Sequence, residues 1–203
     1  MIVKPPGMIR HFSKNLIWKI NTEAKHLYLT FDDGPVPGMT PWVLDILDDF
    51  GARATFFCVG DNVRKHPEIY NLIRQKGHQV GNHTYSHLNG FRTGIRRYVF
   101  DVFKAKKYIP SKLFRPPYGR IRRLAQRILI TRFKIVLWDV LSMDYDQNIE
   151  PRQVVRNVIG NASPGSIIVF HDNLKAETNL HYALPRLLDY YSKRGFEFVP
   201  LPD

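Results

Sequence analysis

The sequence predicts an α/β fold in which parallel strands form a distorted or incomplete (β/α) barrel of about seven units. One observation is that short strand-like runs, rich in aromatic and β-branched residues, alternate with helix-like segments along almost the whole chain. Such alternation is typical of parallel strands joined by crossover helices. The other is length, because a complete eight-unit barrel typically takes about 250 residues and this chain has 203.

The first unit shows the local signals most clearly. Residues 26–31 form an aromatic-rich run that ends at Asp-Asp-Gly-Pro, as a strand leading into a turn would. From Trp42 to Phe50 the apolar residues then recur at helical spacing. We expect Thr40 to cap this helix, the proline after it to occupy the first turn, and Gly51 to end it.

The same criteria predict the remaining elements. We expect further strands at 54–59, 78–82, 112–114, 133–138, 166–170 and 196–200. We expect further helices at 67–76, 95–109, 120–132, 151–160 and 180–194. No long linker or internal repeat divides the series, so we expect one folded domain.

Composition excludes several classes of protein. Apolar residues make up 44% of the chain, which is too many for a disordered protein. The single cysteine, Cys58, excludes an intramolecular disulfide and a multi-cysteine metal site. No signal peptide or transmembrane segment is visible, so the sequence indicates a cytoplasmic protein, with export or surface association as the alternative.

The formal net charge of +12 favours an anionic neighbour. Lysine and arginine are concentrated between positions 92 and 134. One interpretation is a solvated basic face on two helices. The alternative is contact with an anionic surface or acidic glycan, whereas nucleic acid is not expected as a partner.

Acids, imidazoles and one arginine follow the predicted strands, at the end where α/β folds place their working residues. These candidates are Asp32, Asp33, His83, His87, Arg115, Asp139, Asp144 and His171. His83 and His87 are four residues apart, so a helical turn would bring both imidazoles to one face. One carboxylate, from Asp32 or Asp33, would complete the three-ligand set of a catalytic zinc site. The other carboxylate of this pair would remain free as a base.

Four motifs in order resemble those of the polysaccharide deacetylases, the NodB homology domain enzymes of carbohydrate esterase family four. The motifs are Thr30-Phe31-Asp32-Asp33-Gly34, His83-Thr84-Tyr85-Ser86-His87, Arg115-Pro116-Pro117-Tyr118-Gly119 and Val169-Phe170-His171-Asp172. The resemblance covers about residues 25–201, which leaves 1–24 as an N-terminal extension and 25–203 as the NodB-like domain. It implies a distorted barrel and a metal-dependent hydrolase.

The resemblance also implies a role for each site residue. Asp33, His83 and His87 would hold one divalent transition metal, with zinc as the first expectation. Asp32 would be the general base held by Arg115, and His171 the general acid oriented by Asp144. Asp139 is the competing candidate for that orienting acid, because it follows the same strand. Tyr118, Pro116, Tyr145 and Val169 would contact the substrate; Tyr145 and Val169 depart from the family's usual Trp and Leu.

The function implied is removal of N-acetyl groups from an N-acetylglucosamine-containing glycan, chitin-like or peptidoglycan-like, with release of acetate. The partner would therefore be an acetylated amino-sugar glycan. Two alternatives remain: an O-acetyl esterase on acetylated polysaccharide, and a catalytically weak barrel that binds glycan or an anionic surface.

Overall fold

The computed structural model describes residues 3–6 and 15–202. In these ranges the strands are β1 (Leu16–Ile17), β2 (His26–Asp32), β3 (Thr55–Cys58), β4 (Gln79–Asn82), β5 (Leu113–Phe114), β6 (Lys134–Val136), β7 (Val140–Leu141), β8 (Ile167–His171) and β9 (Glu197–Phe198). The helices are α1 (Met39–Asp49), α2 (Gly60–Lys65), α3 (Pro67–Gln75), α4 (Ile95–Lys106), α5 (Arg123–Leu129), α6 (Pro151–Ile159) and α7 (Glu177–Ser192).

All the strands join one parallel sheet, in the order β1-β6-β5-β4-β3-β2-β8-β7, with β9 beside β2. Only residues 137–139 separate β6 from β7, yet β6 pairs with β5 and β7 pairs with β8. The bent segment 134–141 therefore connects the two sides of the curled sheet. The predicted distorted (β/α) barrel is confirmed.

Strand β2 shows how residue alternation divides the core. Leu27, Leu29 and Phe31 pack with helix residues in the largest apolar cluster. Tyr28 lies instead in a cluster contributed by several strands. Because successive side chains of a strand point to opposite faces, Thr30 and Asp32 share the face of Tyr28, which is the inner face of the barrel.

Several predicted boundaries and one predicted cap are wrong. Helix α1 starts at Met39 after Gly38, whose φ is 77°, and has no side-chain cap. Thr40 lies inside the helix, where its hydroxyl donates to Asp172 Oδ2 at 2.5 Å. The predicted helix at 120–132 begins only at Arg123, because the preceding chain forms a 3₁₀ turn at Pro117–Gly119 and then extends.

Three elements lie outside the sequence prediction: β1, α2, and β7, which comes after the predicted strand at 133–138. The two-residue β1 pairs with β6, so part of the predicted extension 1–24 belongs to the sheet. The short helix α2 directly follows β3. In the part of the chain that the structure describes, no helix is both long and apolar enough to span a bilayer.

Candidate active site

Asp32 and Asp33 lie at the end of β2, where the chain leaves the sheet. Asp32 is the last strand residue and is buried on the inner face. Asp33 has a φ of 85°, so the alternation of the strand stops there. Both carboxylates consequently approach His83 Nε2, at 3.9 Å from Asp32 Oδ2 and 3.6 Å from Asp33 Oδ1.

His83 and His87 lie on an irregular loop after β4, so the predicted helical turn between them is wrong. Positive φ values at Thr84 (64°) and His87 (53°) fold the loop. The buried Asp101 of α4 holds it in place, because its Oδ2 accepts hydrogen bonds of 2.9 Å from the backbone N–H groups of Tyr85 and Ser86. The two imidazoles end up close together, with ring centroids 5.1 Å apart.

Asp33, His83 and His87 form a group of three metal-donor residues. One donor atom from each lies within 4.8 Å of the others, and His87 Nε2 is 3.0 Å from Asp33 Oδ1. His83 Nδ1 lies 2.8 Å from the carbonyl oxygen of Arg115. Since a carbonyl only accepts, that nitrogen carries the proton and Nε2 presents its lone pair to the site. Two imidazoles and one carboxylate are a donor set that suits zinc and related divalent transition ions.

The electrostatics favour the deprotonated forms that metal ligands require. Burial lowers the pKa of His83 to about 4, so this imidazole is neutral near pH 7. Burial alone would raise the pKa of Asp33. The hydrogen bond with His87 and the positive charge of His171 outweigh that effect, so the pKa of Asp33 lies below its usual range.

Arg115 is fully buried and holds Asp32. Its Nη1 donates to Asp32 Oδ1 and to Thr30 Oγ1, both at 2.7 Å, and its Nη2 donates to the Leu137 carbonyl at 3.0 Å. The guanidinium lies 4.1 Å from the Phe57 ring centroid. A buried guanidinium with this many partners fixes the position of the carboxylate that it contacts.

His171 and Asp144 form a second pair, in which Asp144 is fully buried and His171 is partly buried. His171 ends β8 and is in register with Asp32 on β2. Its Nδ1 lies 2.8 Å from Asp144 Oδ1, and its backbone N–H donates to Asp144 Oδ2 at 2.7 Å. Burial alone would lower the pKa of His171, but Asp144 outweighs it and raises the value to about 9.

The competing candidate, Asp139, lies elsewhere in the structure. Its Oδ2 accepts a 2.5 Å hydrogen bond from Ser166 Oγ at the start of β8, whereas His171 is at the end of that strand. Asp139 therefore lies in the β6–β7 bend and Asp144 follows β7, and of the two carboxylates it is Asp144 that contacts the imidazole.

The four predicted substrate-contacting residues surround the same rim. Tyr118 is 59% exposed and its hydroxyl lies 3.3 Å from His87 Nδ1. Tyr145 packs edge-on against His171, with ring centroids 4.9 Å apart. Val169 is buried in a small apolar cluster with Tyr145 packed against it. Pro116 is buried at the start of the Tyr118 turn.

Two asparagines that sequence reasoning missed hold Asp33. Asn173 Nδ2 donates to Asp33 Oδ2 at 2.6 Å, and Asn62 Nδ2 donates to the Asp33 carbonyl at 2.8 Å. An open cavity of about 490 Å³ extends from Asp33 and His87 to Asn62 and Asp61. None of the candidates named from the sequence follows strand β3, yet this strand contributes to the site through Asn62 of α2. The sequence signal that could have found these asparagines is their position after a strand. An asparagine near the start of a helix is common, however, and its residue type does not indicate catalysis or metal binding.

The fold and the rim together define a β/α-barrel protein with a mixed acid and imidazole site at the carboxyl ends of its strands. Residues 19–131 match the family model described as polysaccharide deacetylase. The chain therefore belongs to the polysaccharide deacetylase family.

This chain also matches individual relatives over nearly its full length. The chain is 32% identical to a peptidoglycan-N-acetylglucosamine deacetylase of Bacillus cereus, over 92% of this chain and 91% of that protein. It is 31% identical to a chitooligosaccharide deacetylase of Azorhizobium caulinodans, over 91% and 96% of the two chains. A crystal structure of a peptidoglycan N-acetylglucosamine deacetylase superposes with a TM-score of 0.85 at 31% identity, covering 96% of this chain and 94% of the other.

Proposed function

We propose that this protein is a metal-dependent hydrolase that removes N-acetyl groups from a glycan containing N-acetylglucosamine and releases acetate. The observation that carries the proposal is the register of Asp32 beside His171, next to the donor set of Asp33, His83 and His87. Each of the two in-register groups is fixed by a buried partner of opposite charge. The names of the relatives, which refer to peptidoglycan and chitooligosaccharides, support the substrate class.

Asp33, His83 and His87 would hold the metal, with zinc as the first candidate. Bound there, a divalent ion would supply Lewis-acid polarisation of the acetyl carbonyl and a more acidic water. The protonated Nδ1 of His83 and the hydrogen bonds to Asp33 orient these ligands toward the site.

Asp32 is proposed as the general base that takes a proton from the attacking water. Arg115 holds Oδ1, while Oδ2 faces His83 and the donor set. Oδ1 of Asp32 is thus held by the hydrogen bond with Arg115, and Oδ2 remains available to accept the proton. A carboxylate in this position must stay off the metal to act as a base.

His171 is proposed as the general acid for the leaving amine. With a pKa of about 9, the imidazole is protonated at neutral pH. Asp144 fixes Nδ1, so Nε2 carries the proton that can be donated. An amine is too basic to depart unprotonated, and this proton transfer therefore completes amide cleavage.

The remaining assignments follow the family resemblance. The Tyr118 backbone N–H would bind the oxyanion, and Pro116, Tyr145 and Val169 would surround the acetyl group. Residues 25–203 would form the catalytic domain, with 1–24 as its extension.

One assay set tests the proposal. Metal content is measured on purified protein, and acetate release is then measured on chitin oligomers, peptidoglycan fragments and acetylated xylan. We expect release from an N-acetylated glycan. Release from xylan alone would indicate the O-acetyl esterase. Metal binding without release from any of the three would contradict these substrates and indicate either a narrower substrate or the binding protein. Asp32→Asn is expected to keep the metal and lose turnover, whereas Asp33→Ala is expected to lose both.

A further inference from the structure

The positive charge of this protein is concentrated in one part of the fold. Residues 92–134 contain fourteen of the 30 lysines and arginines but only one of the 18 acidic residues, Asp101. Asp101 is buried beneath the His83–His87 loop, and Arg115 is buried at the candidate active site. The rest of the chain is close to neutral, so these residues carry essentially the whole +12 charge.

These basic side chains lack acidic partners. Eleven lysines and arginines in this segment are exposed, and within residues 3–6 and 15–202 none of the eleven forms an ion pair. Elsewhere in the fold exposed cations such as Arg64, Lys65 and Lys193 do have carboxylate partners. A solvated surface normally mixes the two signs, whereas this one presents an uncompensated positive field.

The arginines at the helix starts are unfavourable for the helices themselves. Arg96 and Arg97 lie in the first turn of α4, and Arg123 begins α5; neither first turn contains an acidic residue. The positive end of the helix dipole disfavours cations at these positions. Helix stability therefore does not account for them, and an external anion would.

Apolar side chains are exposed among these cations. Phe100 on α4 is 70% exposed, and Leu124 and Ile128 on α5 are 54% and 40% exposed. Leu124 and Ile128 are four residues apart and lie on one face of α5, next to Arg123 and Arg127. Helices α4 and α5 pack together through a shared apolar cluster, so their outer faces form one surface. We call the exposed side chains of α4 and α5 the basic–apolar face.

We propose that the basic–apolar face docks on the surface of an anionic phospholipid bilayer. Cations around exposed apolar side chains are the arrangement of interfacial membrane-binding helices, which bury the apolar groups at the headgroup boundary. A soluble polyanion accounts for the charge, but aliphatic groups such as Leu124 and Ile128 offer it no stacking surface.

Docking in this way would hold the candidate site close to the bilayer. In parallel β/α units each helix starts at the carboxyl end of the preceding strand, so α4 and α5 begin at the site rim. The loops that precede them also touch, because Arg122 Nη2 donates to the Phe91 carbonyl at 2.6 Å. The face therefore begins beside the loops that carry His87 and Tyr118.

Vesicle co-sedimentation of the full chain tests this proposal independently of deacetylation. The probes are phosphatidylcholine vesicles with and without phosphatidylglycerol. We expect partitioning at least about tenfold stronger with the anionic lipid, and weaker as salt is raised from about 0.1 to 0.5 M. Equal partitioning onto the two kinds of vesicle would overturn the proposal.

Matched variants separate lipid from other anions. R123Q/R127Q and Phe100→Gln should each reduce partitioning by about threefold to tenfold. The control R152Q/R186Q removes the same charge, and the control Tyr182→Gln removes one exposed aromatic, from the wall formed by α6 and α7. Both controls should leave vesicle partitioning unchanged. If Phe100→Gln and L124Q/I128Q bind anionic vesicles as the unaltered protein does, the face is a polyanion site and the membrane proposal is wrong. Unchanged thermal unfolding of each variant confirms that it is folded.

Discussion

Asn173 Nδ2 donates a hydrogen bond of 2.6 Å to Asp33 Oδ2, while Asp33 Oδ1 faces His87 Nε2 at 3.0 Å. The amide thus occupies one carboxylate oxygen and leaves the other for the donor set. Asn173 also accepts hydrogen bonds from the backbone N–H groups of Lys175 and Ala176 through its own oxygen. Its position is therefore fixed on one side by the chain and on the other by the proposed ligand.

Asn173→Ser is expected to weaken zinc binding by about tenfold or more. Loss of a hydrogen bond to a metal ligand typically costs about 10- to 100-fold in affinity. Serine can still accept from the local backbone, so the loop should be kept. The measurement is competition with a chromophoric chelator. The control is Asn148→Ala, which removes an exposed asparagine whose side chain donates to Asp146; equal zinc affinity in both variants would contradict the positioning role of Asn173.

Arg115→Met is expected to lower the free energy of unfolding by about 3–5 kcal/mol. The change leaves the Asp32 carboxylate buried without its cation and the Leu137 carbonyl without its donor. Urea unfolding followed by tryptophan fluorescence measures it. Arg92→Met, at an exposed arginine, should change stability by less than about 0.5 kcal/mol. A similar small effect at both positions would show that Asp32 is stabilised by something other than Arg115.

The sequence was sufficient to predict the distorted barrel but not the bend between β6 and β7 that connects its two sides. Alternating strands and helices, each with a period visible in the residues, predicted the parallel order of elements. The predicted strand at 133–138 corresponds only to β6, and the bend at 137–139 and β7 after it were not visible in the sequence. The bend is determined by two different neighbouring strands, which is long-range information.

The same limit applies to the site. The acids and imidazoles follow predicted strands, and parallel strands end at one edge of the sheet, so the sequence predicted that these side chains lie together. The conformation of the His83–His87 loop depends on Asp101 of α4, and the choice of Asp144 over Asp139 depends on the distance to His171. Neither contact has a short-range signature, and the same holds for Thr40, whose hydroxyl bonds Asp172 across more than a hundred residues instead of capping its helix.

Gly34→Ala is expected to destabilise the fold by about 1–3 kcal/mol. A Cβ at this position would overlap the Asp172 carboxylate, which is buried and accepts from both the Gly34 N–H and the Thr40 hydroxyl. The carboxylate cannot move without breaking these bonds. Thermal unfolding is the measurement, and Gly94→Ala is the control because nothing lies within 4 Å of its Cβ position and its φ is −60°. Equal midpoints for the two variants would mean that the Gly34 turn can shift away from Asp172.

Asp144→Asn should move the alkaline limb of the pH–activity profile to lower pH. His171 must be protonated to act as an acid, and its pKa of about 9 predicts activity that falls as pH rises through that value. Asp144 raises this pKa more than Asp33 or Asp32 does, so its neutralisation returns the imidazole toward its ordinary value of 6.5. Activity near pH 8 should then fall by about tenfold relative to activity near pH 6.

The matched control for that experiment is Asp139→Asn. Asp139 is also buried and follows the same predicted strand, but it bonds Ser166 rather than His171. Its replacement is expected to affect stability and to leave the pH at half-maximal activity in place. If Asp139→Asn moves the limb as far as Asp144→Asn does, the limb reports the overall field of buried carboxylates and not the contact between Asp144 and His171. A limb that stays near pH 9 in Asp144→Asn would remove His171 from the role of general acid.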